Sequence, residues 1–149
     1  MKNIFEKAVK EEIFIRLGNL TIDSKRNWGK MSVTQMMAHL TRSIKIANGD
    51  TPMKRAFIGR ILAPLFKSQY YNDRPYPRNI KMGIAPYVPD PSLFETERKE
   101  LIKIVSEFSE TCASKCISNP HPFFGYFTSE QWGKAVYKHL DHHLRQFSE

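Results

Sequence analysis

The sequence predicts an all-α protein, an antiparallel four-helix bundle with a long, basic, proline-rich insert between its second and third helices. Three observations lead there. Four runs of about 15–20 residues repeat apolar side chains every three or four positions, the spacing of one face of a helix. Each run opens on a side chain able to accept hydrogen bonds from the free amides of a first turn. No run alternates apolar and polar residues convincingly, as a half-buried strand would. A chain of 149 residues holds one core and not two, so a single domain over 1–149 is expected.

The first helix is expected from Asn3 and Glu6, with Phe5, Val9, Ile13 and Leu17 on one face and Gly18 as its stop. Ser32 with Gln35 opens the second, whose face carries Val33, Met36, Met37, Leu40, Ile44 and Ala47, and Gly49 closes it. The insert runs from Asp50 to Pro91. Its first half, Met53 to Gln69, is apolar and basic and reads as a helix interrupted near Pro64. Its second half holds Pro75, Pro77, Pro86, Pro89 and Pro91 and reads as an extended connection. Such an insert either straps the bundle or covers a site as a lid. The stretch Lys54 to Lys67 also suits a membrane-surface helix, although it is short for one. Ser92 with Glu95 opens the third bundle helix, with Phe94, Leu101, Ile104, Val105 and Phe108 inward. The stretch Asn119 to Thr128, rich in proline and aromatics, makes a rigid turn. His121 sits in it between two prolines and is expected as a turn or surface histidine rather than a ligand. Thr128 with Gln131 opens the last helix.

Composition narrows the function. Hydrophobic residues at 41% exclude a disordered chain. No apolar run reaches the roughly 18 residues that span a bilayer, and the first residues lack a signal-peptide core, so a cytoplasmic location is expected. Two cysteines, Cys112 and Cys116, do not make a disulfide scaffold. Their C-x3-C spacing differs from common zinc knots, and free thiols are expected. The formal charge is +8. Between Pro52 and Lys81, seven cations (Lys54, Arg55, Arg60, Lys67, Arg74, Arg78, Lys81) face the single Asp73, a local balance of +6. That segment is either a solvated basic face or a contact for nucleic acid, an anionic membrane or an acidic small molecule.

The chemistry concentrates in the last helix. At 100° per residue, Trp132, Val136, His139, His143 and Gln146 share a narrow stripe, while Lys134, Lys138, Asp141 and Arg145 fall on the other side. Two imidazoles spaced i, i+4 therefore sit on the buried face. Each costs about 1–3 kcal/mol if left unpaired. One reading is a metal ion reached by both; the other is two core histidines hydrogen-bonded to carbonyls or a carboxylate. A catalytic ion needs a third imidazole, and His39, at the flank of the second helix's apolar face, is the candidate. Three neutral histidines leave positions open for water or substrate and suit Zn, Ni, Fe or Cu. Gln146 is placed to orient a ligand, and His142 is a weaker alternative at the edge of the stripe. Leu140 occupies the position where His-Glu-x-x-His needs its general base, and no phosphate loop or Ser-His-Asp pattern is present.

His39 and the pattern His139-x3-His143-x2-Gln146 resemble the metal triad of the DinB-like superfamily. The phrases Trp28-Gly-Lys-Met31, His121-Pro-Phe-Phe-Gly125 and Tyr137-Lys-His-Leu-Asp-His-His-Leu-Arg-Gln-Phe147 resemble, more narrowly, a branch known only as a domain of unknown function. The resemblance implies an up-down-down-up bundle that binds a divalent metal through His39, His139 and His143, commonly as a homodimer. Relatives in that superfamily include metal-dependent thiol S-transferases and a mycothiol-dependent isomerase. A metal-dependent enzyme that activates a thiol or water toward a small molecule is thus expected, with a low-molecular-weight thiol as cofactor and Lys54, Arg55 and Arg60 as contacts for an anionic substrate. The rival expectation is a non-catalytic bundle that binds nucleic acid or a protein through residues 53–81.

Overall fold

The computed structural model describes residues 1–51, 53–54, 56–79 and 87–149, with the side chains at 60, 109–115 and 117 also outside the description. Five α-helices and three single 3-10 turns account for its regular structure, and no strand occurs among the described residues. The fold is all-α.

α1 spans Lys7–Asn19 and buries Val9, Ile13 and Leu17. It starts later than the sequence suggests. The Asn3 side chain accepts from the Phe5 amide at 3.0 Å and so makes a local turn. Glu6 is the cap residue, with no side-chain capping bond. Gly18 lies inside the helix and does not end it. α2, Val33–Asn48, agrees with its signals. Ser32 and Gln35 form a reciprocal capping box, and Gly49 at φ 85° adopts the left-handed conformation and donates to the Ile46 carbonyl. The last carbonyls of α2 are completed from elsewhere: Asn119 Nδ2 donates to Ile46 O at 2.7 Å and Ala47 O at 3.2 Å.

α3, Phe57–Phe66, contains Pro64 and runs through it. The proline sits close to the C-terminal end, so only one late backbone bond is lost before a 3-10 turn, Lys67–Tyr70, follows. α4, Phe94–Lys115, follows a 3-10 turn at Pro91–Leu93. Asp90, and not Ser92, makes the cap by accepting from the Ser92 amide at 2.8 Å, with proline in the first-turn position that favours it. α5, Ser129–Gln146, opens on the Thr128–Gln131 capping box. The turn before it closes through paired bonds between His121 and Gly125, with Gly125 at φ 75°.

One core joins α1, α2, α4 and α5. α4 packs most extensively on α2, while α5 touches α1, α2 and α4. Met36, Met37, Leu40, Leu101, Phe108, Leu140 and Leu144 are fully buried at its centre. Trp132 reaches from α5 to donate its indole N–H to Cys116 O at 3.0 Å. Two expectations fail here. Cys116 is disulfide-bonded and not a free thiol. The side chain of Cys112 lies outside the described residues. Lys138, expected on the solvent side of α5, is buried because Gln69, Asn72 and Tyr76 cover it. Its Nζ donates to Gln69 O at 2.6 Å and Asn72 Oδ1 at 2.9 Å and lies over the Tyr76 ring. Burial pulls its pKa down to about 8. No described helix is long and apolar enough to cross a membrane.

Truncating Leu140, which is fully buried, is expected to cost about 2–5 kcal/mol in urea unfolding. Ile15→Ala on the exposed side of α1 should stay within about 0.5 kcal/mol. Equal effects would show that α5 does not centre the core.

Candidate metal centre

α2 and α5 meet at their histidines. His39 projects from α2 and His139 and His143 from α5, one turn apart. One ring nitrogen of each lies within 4.8 Å of the others. The closest approach is His39 Nε2 to His139 Nε2, at 3.1 Å. The three rings lie edge-on to one another with centroids 4.8–5.0 Å apart. Ligand bonds of about 2.0–2.1 Å set tetrahedral nitrogens about 3.4 Å from each other; the His39–His139 pair stands near that spacing, and the third nitrogen, within 4.8 Å, would close in by a small side-chain rotation. His143 is buried, and His39 and His139 are half-buried.

The tautomer of His143 follows from its neighbour. Gln146 donates through Nε2 to Trp28 O at 2.7 Å. A carbonyl only accepts, so the other end of the amide, Oε1, must be the acceptor from His143 Nδ1 at 3.0 Å. The proton of neutral His143 is thereby held on Nδ1 and its Nε2 lone pair is left for a ligand bond. The loop holding Gln146 is built around it. Asn27 N donates to Gln146 O at 2.7 Å. Gly29, at φ 79°, lies so near that a Cβ there would come within 2.4 Å of Gln146 Nε2.

His142 stays outside the triad. It is half-buried, packed against Trp28, Tyr76 and His143. The guanidinium of Arg78 stacks on Trp28 at 4.3 Å, and Arg42 lies near enough to His39 to oppose its protonation. Lys54 is exposed on the segment leading into α3. Arg55 and the side chain of Arg60 fall outside the described residues. The sequence reading thus reached the three histidines and Gln146, but it missed the Trp28 carbonyl, the Gly29 approach and the Tyr76 wall. Backbone acceptors leave no residue-type signal. Trp28-Gly29 carried a resemblance and no stated role.

The chain matches, over residues 7–149, the family described as a protein of unknown function, DUF1569. It belongs to that family. No curated protein and no solved structure matches it.

In this DUF1569 protein all three imidazoles are kept neutral. Burial lowers the pKa of His39, with Arg42 adding to it; burial and the neighbouring His143 and His39 put His139 well below the ordinary value of 6.5. His143 is pushed down to about 3, chiefly by burial and against the Gln146 bond, which raises it. Neutral imidazoles can ligate without first losing a proton. His121 is also brought to about 4 by burial. It is a turn histidine, as expected, but an inward one. Its Nδ1 accepts from the Phe123 and Phe124 amides at 3.0 and 3.1 Å, and its ring packs on Tyr70, Phe127 and Trp132.

These shifts fix a pH dependence for metal-free protein. The folded pKa values lie below the unfolded 6.5, so the unfolded chain binds more protons in acid. The stability is fully present above pH 6.5 and declines as pH falls through about 4 toward about 3. Urea midpoints of chelator-treated protein should therefore fall steadily from pH 7 to pH 4.5; a flat profile would mean the imidazoles are not buried neutral.

Proposed function

We propose that this protein binds a divalent metal through His39, His139 and His143 and is a metal-dependent enzyme, activating a thiol or a water for transfer to, or hydrolysis of, a small molecule. The observation that carries the reading is the convergence of three neutral ring nitrogens within 4.8 Å, with His143 fixed by Gln146 in the ligating tautomer. The donor set fits Zn, Ni or Fe. The same reading takes α1, α2, α4 and α5 as a DinB-like, up-down-down-up bundle, residues 50–91 as the insert, and a homodimer as the assembly.

A divalent ion held by three imidazoles supplies Lewis acidity, which lowers the pKa of a thiol or water enough to furnish a nucleophile at neutral pH. The chain's own residues do the rest. Gln146 and the Trp28 carbonyl stop His143 from turning away. Trp28, Tyr76 and His142 pack beside the triad and limit the access of water. Arg42 and Arg78 bring positive charge next to the histidines, where a carboxylate-bearing substrate or thiol gains from it. Arg78 belongs to the basic segment expected from the sequence to contact an acidic partner, whereas Arg42 was not among the expected contacts.

Thermal melting of chelated protein with added Zn2+ or Ni2+ tests the reading. An ion at about 100 times its Kd stabilises by about 2.7 kcal/mol, which for a chain of this length raises Tm by about 5–10 °C. His139→Ala should abolish the shift and His142→Ala should retain it. No shift in the wild type, or the same shift in His139→Ala, would remove the site.

A further inference from the structure

α3 is turned inside out. Its packed side carries its two smallest residues, Gly59 and Ala63, both buried. Gly59 lies so close to the 122–124 turn that a Cβ would come within 2.4 Å of Phe123 O. The Ala56 amide fastens the start of the helix to Pro122 O at 2.8 Å, and Lys67 fastens its end to Tyr126 O. At 100° per residue, Phe57, Ile61 and Leu65 form one row on the opposite side, with Ile58 beside it. These four are exposed, Phe57 by 76% and Leu65 by 69%. Met53 before the helix and Tyr126 on the turn beneath it are exposed as well. A contiguous exposed row of large apolar side chains, unlike scattered ones, marks a contact surface.

Charge decides which contact. From Thr51 to Asn72 the chain carries Lys54, Arg55, Arg60 and Lys67 and no acidic residue. Phosphate groups of a nucleic acid would satisfy the cations but leave the apolar row in water. A second copy of the chain would cover the row but set the same cations against themselves, because a two-fold contact pairs a patch with itself. A surface that is apolar inside and anionic outside satisfies both. α3 has ten residues, half of what crosses a bilayer, so it can only lie along one.

We propose that α3 docks on an anionic lipid bilayer, with the Phe57, Ile61 and Leu65 row sunk to the headgroup boundary and the exposed Lys54 against the lipid phosphates. Amphipathic surface helices bind in this way, through apolar area plus attraction to anionic lipid. The proposal does not depend on the histidines. It attaches the protein by its insert and leaves the α2–α5 meeting point free to work beside a membrane.

The test is co-sedimentation of the full chain with phosphatidylcholine vesicles, plain or containing about one-third phosphatidylglycerol. Partition onto the anionic vesicles should be about ten-fold or more stronger and should weaken as salt rises. The double variant Ile61→Glu/Leu65→Glu should lose roughly a hundred-fold or more, with its circular dichroism unchanged because both residues are exposed. Lys54→Glu, also at an exposed position, should lose about ten-fold on anionic vesicles alone, and it keeps the test decisive if the double variant misfolds. Several results would overturn the proposal: no pelleting with anionic vesicles, equal partition of wild type and either variant, a wild-type dimer in sedimentation that the double variant abolishes, or tight oligonucleotide binding that only Lys54→Glu weakens.

Discussion

Everything distinctive in this fold follows from the imidazoles that face inward where α2 meets α5. A buried polar group without a partner costs as much as a good hydrogen bond supplies, and here three lie together, with His39 and His139 only 3.1 Å apart. Both rings offer Nε2 to the same point, and a single proton between them satisfies just one pair. His143 is different. Its Nδ1 is already bonded to Gln146, so what it directs at the cluster is a lone pair. With the protons of His39 and His139 on Nδ1, three lone pairs would meet at one place, the arrangement that the proposed cation site needs.

The surroundings read as support for that point. Capping boxes at Ser32 and Thr128 set where α2 and α5 begin, and with it the phase at which His39 and His139 meet. The loop through Asn27 and Gly29 grips Gln146 by backbone and side chain together. Tyr76 packs on His142, and the neighbouring Gln69 and Asn72 hide Lys138 from water. The stretch from Gln69 to Tyr76 thus packs on both Lys138 and His142, while α3 turns its apolar side away from the core altogether.

Periodicity made the all-α class and the inward sides of α1, α2 and α4 legible, because burial repeats with the helical turn, and the cap residues made two capping boxes legible. On α5 the stripe named Trp132, Val136, His143 and Gln146 but not the buried Leu140 and Leu144. From its own helix His39 was legible as a residue flanking an apolar face, and the need for a third ligand, together with the resemblance, paired it with the last helix. What places it on His139 is the packing of two elements a hundred residues apart, which no local pattern encodes. Lys138 misled for the opposite reason. A lysine off the apolar stripe belongs in water unless another segment arrives to cover it, and here a carbonyl of Gln69 and the side chain of Asn72 do so. The caps at Asn3 and Ser92 failed at the scale of three residues, where a neighbouring acceptor, Asp90 in the second case, competes for the same amides. Cys116 was expected free because two cysteines make no disulfide scaffold and their spacing fits no common zinc knot, and neither argument bears on a single bond.

The central claim is that His39 of α2 and the pair on α5 grip one cation together. Its most direct measure is the stoichiometry and visible spectrum of Co2+ bound to the chelated protein. The account predicts one ion per chain with the intense absorption of a low-symmetry, histidine-ligated site, and loss of both in His39→Ala while the helical content stays intact. Wild-type protein that takes up no cobalt, or a His39→Ala protein that binds it unchanged, would contradict it.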